Sequence, residues 1–228
     1  MTKHFSRRQF IKHAALFTGA AASLPLVHAF GADTNSPAAA LSGPSPLTID
    51  ASARPAVASS EGFHMGTATA TGGHTLTLDS RSLVRDGQPW LPISGEFHYA
   101  RCPANEWRDE LLKIKAGGVS IVASCIFWIH HEEIQGTWDW SGQRDLRQFL
   151  QTAHAAGLNV LLRIGPWCHG EVRNGGFPNW LQKLGDDKTL ELRRDDPAYL
   201  GYVKKLYAQV SRQASGLLWK DRGPLIAI

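Results

Sequence analysis

From residue 75 onward the hydrophobic positions of the chain switch between two periods. Thr75 to Asp79 alternates apolar and polar residues, the period of a half-buried strand. Ser82 to Trp90 places Asp86-Gly87 between two short runs, which predicts a tight hairpin. A unit then recurs. Leu91 to Ser94 is an apolar run that predicts a strand and leads into Gly95-Glu96-Phe97-His98-Tyr99. Trp107, Leu111 and Ile114 follow at the spacing of one helix face, and Gly117-Gly118 stops that helix. Ile121 to Phe127 predicts the next strand. Leu146, Phe149, Leu150 and Ala153 mark the next helix, which Gly157 closes. Asn159 to Ile164 predicts a third strand, followed by a short helix over Asn179 to Leu184 and a longer one through Tyr199, Val203, Leu206 and Val210. Gly223-Pro224 introduces a last apolar run, Leu225 to Ile228.

Strands that begin near residues 91, 121, 159 and 225 and alternate with helices predict a parallel α/β sheet. A dinucleotide-binding sheet would carry a G-x-G-x-x-G turn after its first strand, and this chain has none. Each strand instead delivers its own Glu, His, Tyr or Trp cluster at its carboxyl end, as the strands of a (β/α)8 TIM barrel do. A complete barrel takes about 250 residues. Residues 75–228 are therefore expected to be its amino-terminal half, truncated to about the first four strands.

The ends of the chain differ in character. Residues 1–29 hold Lys3, Arg7, Arg8 and Lys12 and no acid, then an apolar segment from Ala14 to Leu26 and the small residues of Val27-His28-Ala29. That layout predicts a signal peptide. The Arg pair before Phe10 resembles a twin-arginine signal, so the mature chain is expected to be exported to a bacterial periplasm or outside the cell, with no membrane span after cleavage. Residues 30–74 begin with an Ala-, Ser-, Pro- and Thr-rich stretch without apolar period and are expected to form a disordered linker. The net charge of +4 comes from residues 1–29, since the remaining 20 basic residues balance 20 acidic ones. No basic face for nucleic acid follows. Cys102, Cys125 and Cys168 are an odd number and define no disulfide framework, although one pair is compatible with an oxidising compartment.

The densest chemistry lies in Leu161 to Pro178, LLRIGPWCHGEVRNGGFP, where a buried strand gives way to a polar and aromatic loop. Glu96, Glu132, Glu133 and Glu171 fall near strand ends. Paired carboxylates serve glycosidic hydrolysis, but a carboxylate also accepts hydrogen bonds from sugar hydroxyls, and position alone does not separate these roles. Glu171 is either a site residue or a loop partner of Arg173; Glu132 is either structural or in contact with substrate; Glu96 is either a site residue or the partner of a basic neighbour. His98, His130, His131 and His169 lack the His-x-His, C-x-x-C or H-E-x-x-H spacing of a metal centre, so neither metal nor cofactor is expected. Trp128 and Trp167 are either sugar-stacking or core residues. Gly175-Gly176 permits positive φ and close approach.

Four blocks in order carry a family resemblance: Ser94-Gly95-Glu96-Phe97-His98-Tyr99; Phe127-Trp128 with His131-Glu132; Gly165-Pro166 through Glu171 to Gly175-Gly176-Phe177-Pro178-x-Trp180; and Gly223-Pro224-Leu225-Ile226-Ala227-Ile228. The chain resembles the family 35 glycoside hydrolases, the β-galactosidases, over roughly residues 75–228. The resemblance implies a retaining exo-glycosidase on a (β/α)8 barrel that releases terminal β-linked galactose from oligo- or polysaccharides. It implies that Tyr99 and Glu171 bind galactose hydroxyls, and that His169 and Gly170 line the same pocket, the glycine through its backbone. It also implies that both catalytic glutamates lie beyond Ile228, so no residue here is catalytic and the chain alone is inactive. Ile129, His169 and Arg173 depart from residues common in the family and bear on substrate preference. The rival readings are a barrel glycosidase for another sugar and a non-catalytic carbohydrate-binding barrel.

Overall fold

The computed structural model describes Asp50, Ser52, residues 56–62 and residues 66–228. Apart from Asp50 and Ser52, these lie in one compact unit, Pro55–Ile228. The proposed signal segment, residues 1–29, lies outside the described residues. Among the described residues no helix is long and apolar enough to cross a membrane.

A three-stranded antiparallel meander comes first: β1 (Leu76–Leu78), β2 (Leu83–Arg85) and β3 (Gln88–Trp90). The expected hairpin joins β2 to β3. Asp86 and Gly87 both have positive φ, 51° and 76°, as a two-residue turn matching the strand twist requires. Ordered chain is met before the alternating run begins. Thr69 bridges Thr75, Ala70 is buried, and the Thr71 amide donates to the Lys220 carbonyl at 2.8 Å.

The main sheet holds β4 (Ser94–Glu96), β5 (Ile121–Cys125), β6 (Asn159–Arg163) and β7 (Leu225–Ala227), in that spatial order and parallel throughout. The first strand is displaced from its apolar run: Leu91 and Ile93 are 93% and 58% exposed. Backbone pairing nonetheless reaches that run, because the Ser120 and Ile121 amides donate to the Ile93 carbonyl at 2.9 and 3.1 Å. Strand formation here follows the main chain and not burial of these two side chains.

Among the described residues four longer helices accompany the strands, α1 (Trp107–Ala116), α2 (Leu146–Ala155), α3 (Asn179–Asp186) and α4 (Pro197–Ala214), and a single helical turn, Trp128–His131, follows β5. Their apolar stripes are the predicted ones. Trp107 and Leu111 of α1, Leu146, Phe149, Leu150 and Ala153 of α2, and Val203, Leu206 and Val210 of α4 are buried against Val122, Val160, Leu162 and Leu225 of the sheet. β6 alternates accordingly: Val160 and Leu162 are buried, Asn159 and Leu161 half-buried, and Arg163 exposed. The register pairs Glu96 with Ala123, Ala123 with Leu161, and Cys125 with Arg163. Partners in register share a face, so Glu96, Cys125 and Arg163 sit together on the side turned away from the helices.

Two carboxylates start helices. Asp196 accepts from the Ala198 and Tyr199 amides ahead of α4, with Pro197 in the first turn. Asp145 accepts from the Gln148 amide at 2.8 Å ahead of α2. Asp145→Ala is expected to lower folding stability by about 1 kcal/mol, measured as a shift of the urea midpoint. An unchanged midpoint would show that the cap contributes nothing.

Candidate sugar-binding site

The loops after the strands converge at the carboxyl end of the parallel sheet, where α/β folds place their sites. A pocket of about 410 Å³ opens there, lined by Arg101 from the loop after β4, Ile129, His130 and Glu133 from the loop after β5, and Glu171 and Arg173 from the loop after β6. A smaller hollow of about 260 Å³ near Gly157, Asn159 and Pro224 lies at the opposite, amino end of the strands. It carries none of the predicted site residues.

Glu171 is exposed on the pocket wall, and its backbone is held in place: an Arg101 guanidinium nitrogen donates to its carbonyl at 2.8 Å. Arg101 itself lies over the Phe127 ring, 4.6 Å from its centroid. Among the described residues Glu171 and Arg173 form no ion pair. The Gly170 backbone is exposed beside Phe127. His169 is exposed, its ring edge-on to Trp167 with centroids 4.4 Å apart. The loop is tight. Asn174, Gly175 and Gly176 all have positive φ, and a Cβ on Gly175 would run into the Trp167 indole. Trp167 is thereby clamped between that turn and the guanidinium of Arg193, 4.0 Å from its ring centroid.

Tyr99 is placed differently. It follows β4 but is fully buried, stacked on Phe149 with centroids 5.0 Å apart, and its hydroxyl is 2.8 Å from Nε2 of His131. Nδ1 of His131 is 3.0 Å from the Asp139 carbonyl, which can only accept. Nδ1 therefore carries the proton and Nε2 accepts from Tyr99. Burial holds His131 down to about 4, so the ring is neutral. Burial of Tyr99 in turn pushes its hydroxyl well above the usual tyrosine range. The pair is a neutral support under the site, with no ionised member.

Glu132 also turns inward. One carboxylate oxygen accepts from the Trp128 indole and the other from the Gly136 amide, each at 2.7 Å, while its carbonyl accepts from the Trp180 indole at 2.9 Å. Of the two roles open to Glu132, the structure assigns the structural one, and Trp128 is a core residue at 0% exposure. Glu96 pairs with Arg163 and with Nε2 of His98. Glu96, His98 and Cys125 bring ligating atoms within 4.8 Å of one another, but the Arg163 guanidinium already occupies the carboxylate and Arg101 adds positive charge near Cys125. That field opposes a cation. Sequence reasoning missed Arg101 and Arg163, whose roles depend on strand register and have no local motif.

Parallel strands alternating with helices, with carboxylates and an imidazole around a pocket at their carboxyl ends, form an α/β domain of the barrel type. Comparison with known proteins gives the family. Residues 82–228 match the model of glycosyl hydrolases family 35, and the chain belongs to that family. It is 37% identical over 172 residues to a beta-galactosidase of Bos taurus, covering 75% of this chain and 25% of that protein. A beta-galactosidase of Mus musculus is 40% identical over 156 residues, 68% of this chain and 24% of its own length. One from Xanthomonas manihotis is 36% identical over 161 residues, 71% of this chain and 26% of its own length. The chain spans about a quarter of the length of these curated relatives.

Proposed function

We propose that the chain is the galactose-recognising first part of a retaining β-galactosidase barrel. The observation that carries this reading is the position of Glu171, a carboxylate on the wall of the carboxyl-end pocket with its backbone fixed by Arg101. Such a group accepts hydrogen bonds from vicinal sugar hydroxyls, and charge-assisted bonds of this kind are short and strong. The exposed Gly170 backbone and His169 supply further polar contacts on the same loop. Tyr99 donates its O–H to His131, and its oxygen keeps the lone pairs with which it would accept from a galactose hydroxyl.

In this reading no residue of the chain is the acid/base or the nucleophile, and the chain by itself turns over no substrate. The two catalytic carboxylates belong to later strands of the intact barrel, about 5 to 5.5 Å apart for retention of configuration. Export through a twin-arginine signal would give the enzyme access to galactose-containing polysaccharides outside the cytoplasm.

The test is a panel of nitrophenyl glycosides offered to the full-length gene product, with release from the β-galactoside expected to dominate. Release only from another sugar would move the chain to a different specificity, and no release from any would favour a binding barrel. In the same enzyme Glu171→Gln is expected to lower kcat/KM about tenfold, by loss of a charge-assisted hydrogen bond that contributes about 1.5 kcal/mol. An unchanged kcat/KM would remove Glu171 from the site.

A further inference from the structure

The hollow at the amino end of the strands has tied walls and unspent positive charge. The meander and the segment leading into it form one side, and the turn before β7 forms another. The two are joined across 149 residues of sequence, because the amide and the hydroxyl of Thr71 both donate to the Lys220 carbonyl, at 2.8 and 3.0 Å. Arg85, Arg222, His74 and His154 line the hollow, and no carboxylate does. Among the described residues neither Arg85 nor Arg222 is in an ion pair. Asp86, next in the chain to Arg85, is already engaged by the Thr75 amide at 2.8 Å and by Nδ1 of His74 at 3.2 Å. The carbonyl end of α2, which would repel an anion, is covered: the Lys115 ammonium donates to the Ala156 carbonyl at 2.8 Å, beside Gly157 on the hollow's wall.

Arg222 supplies a second, independent observation. Its φ is 67°, in the left-handed region. The turn around it is tight. The Arg222 amide donates to the Trp219 carbonyl and the Gly223 amide to the Leu218 carbonyl, each at 2.9 Å, and a Cβ on Gly223 would run into the Leu217 backbone. Glycine or asparagine adopts such a backbone at less cost than arginine. Strain of this kind persists where a side chain serves a ligand or a reaction, and this one lines a hollow that holds another unpaired guanidinium.

We propose that this hollow is an accessory site for an acidic sugar unit, its carboxylate held by Arg85 and Arg222 and its ring set against Trp219. Guanidinium groups match the two oxygens of a carboxylate in plane and spacing. Trp219 is half-buried in the wall and offers an apolar surface to the C–H face of a sugar ring. The volume of about 260 Å³ is near the lower end of small-molecule sites, about 300 Å³, so it takes one ring and not an oligomer. A bare inorganic anion would leave the indole and most of that space unused. The hollow lies at the opposite end of the strands from the Glu171 pocket, so it holds an acidic polysaccharide without occupying the place of the reacting sugar. The inference stands whichever sugar that pocket accepts.

The experiment is titration calorimetry of the full-length gene product with galacturonate, galactose and inorganic sulfate at one fixed ionic strength. Galacturonate is expected to bind about tenfold tighter than either of the others, since only it offers both a ring and a carboxylate. Arg222→Gly removes the guanidinium at a position whose backbone suits glycine, so its urea midpoint should equal or exceed that of the wild type while its affinity for galacturonate falls about tenfold. Arg85→Gln should lose affinity to a similar degree. Glu171→Gln should bind galacturonate as the wild type does, which keeps this binding apart from the carboxyl-end pocket. Sulfate bound as tightly as galacturonate would overturn the sugar assignment. No binding of galacturonate, undiminished binding by a folded Arg222→Gly, or loss of binding in Glu171→Gln would overturn the site.

Discussion

Glu132→Ala is expected to cost about 3 kcal/mol of folding stability. The carboxylate is 3% exposed and is the acceptor for two N–H groups, the Trp128 indole and the Gly136 amide. Alanine leaves both donors without a partner, at about 1 to 3 kcal/mol each, while the desolvation of a buried charge is recovered and offsets part of that. Glu132→Gln tests the mechanism more sharply. An amide presents one acceptor and one donor, so one of the two N–H groups then faces another N–H. Glutamine should therefore recover only part of the loss, about 1 kcal/mol. The adjacent Glu133 is exposed, and its replacement by alanine should stay within about 0.5 kcal/mol. Urea unfolding of the three variants checks the order. If Glu132→Ala unfolds with the wild-type midpoint, the carboxylate is not what holds Trp128 and the turn at Gly136.

Acidification from about pH 7 to pH 4 is expected to remove about 3 kcal/mol through His131 alone. The sign follows from which state binds the proton. His131 is held at about 4 in the folded chain, against 6.5 when exposed. Between those values the unfolded chain takes up a proton that the folded chain refuses, so stability falls as pH falls. The loss begins near 6.5 and is complete near 4. The surrounding groups pull on the same ring: Asp139 accepts from Nδ1 through its carbonyl, and His130 and Arg144 disfavour added positive charge. Burial also lowers His98 and His130, which adds to the slope in the same direction. The Asp139 carboxylate, lowered by Ser141 and Arg144, contributes only further down, as pH falls below the ordinary aspartate value of 3.8. The check is urea unfolding at several pH values for wild type and His131→Asn. The variant should be less stable near neutrality and show a flatter decline between pH 6.5 and pH 4. Parallel curves would show that His131 titrates normally.

Local features of the fold were legible where one physical signal sufficed. Asp86-Gly87 names its own turn because two consecutive positive φ angles exclude most residues. The helices announced themselves by stripes such as Leu146, Phe149, Leu150 and Ala153, which are all fully buried. The first strand was misplaced because hydrophobicity was read as burial. Leu91 and Ile93 are exposed, and the strand runs over the less apolar Ser94–Glu96. At the site, Glu171 and the positive-φ glycines could be read from one loop. The Tyr99–His131 bond could not, because it joins segments 32 residues apart and no local spacing encodes it. The donors to Glu132 lie four residues to either side, but burial and not spacing decides that its carboxylate turns inward.

The ion pair between Glu96 and Arg163 reaches from β4 across β5 to β6 on the side away from the helices. If either strand slid by one residue, every side chain on it would change sides, and a charge would be driven among Val122, Val160 and Leu162. The two opposite charges thus serve as an alignment key for the ribbon they bridge. The loops that follow these strands inherit their alignment from that key.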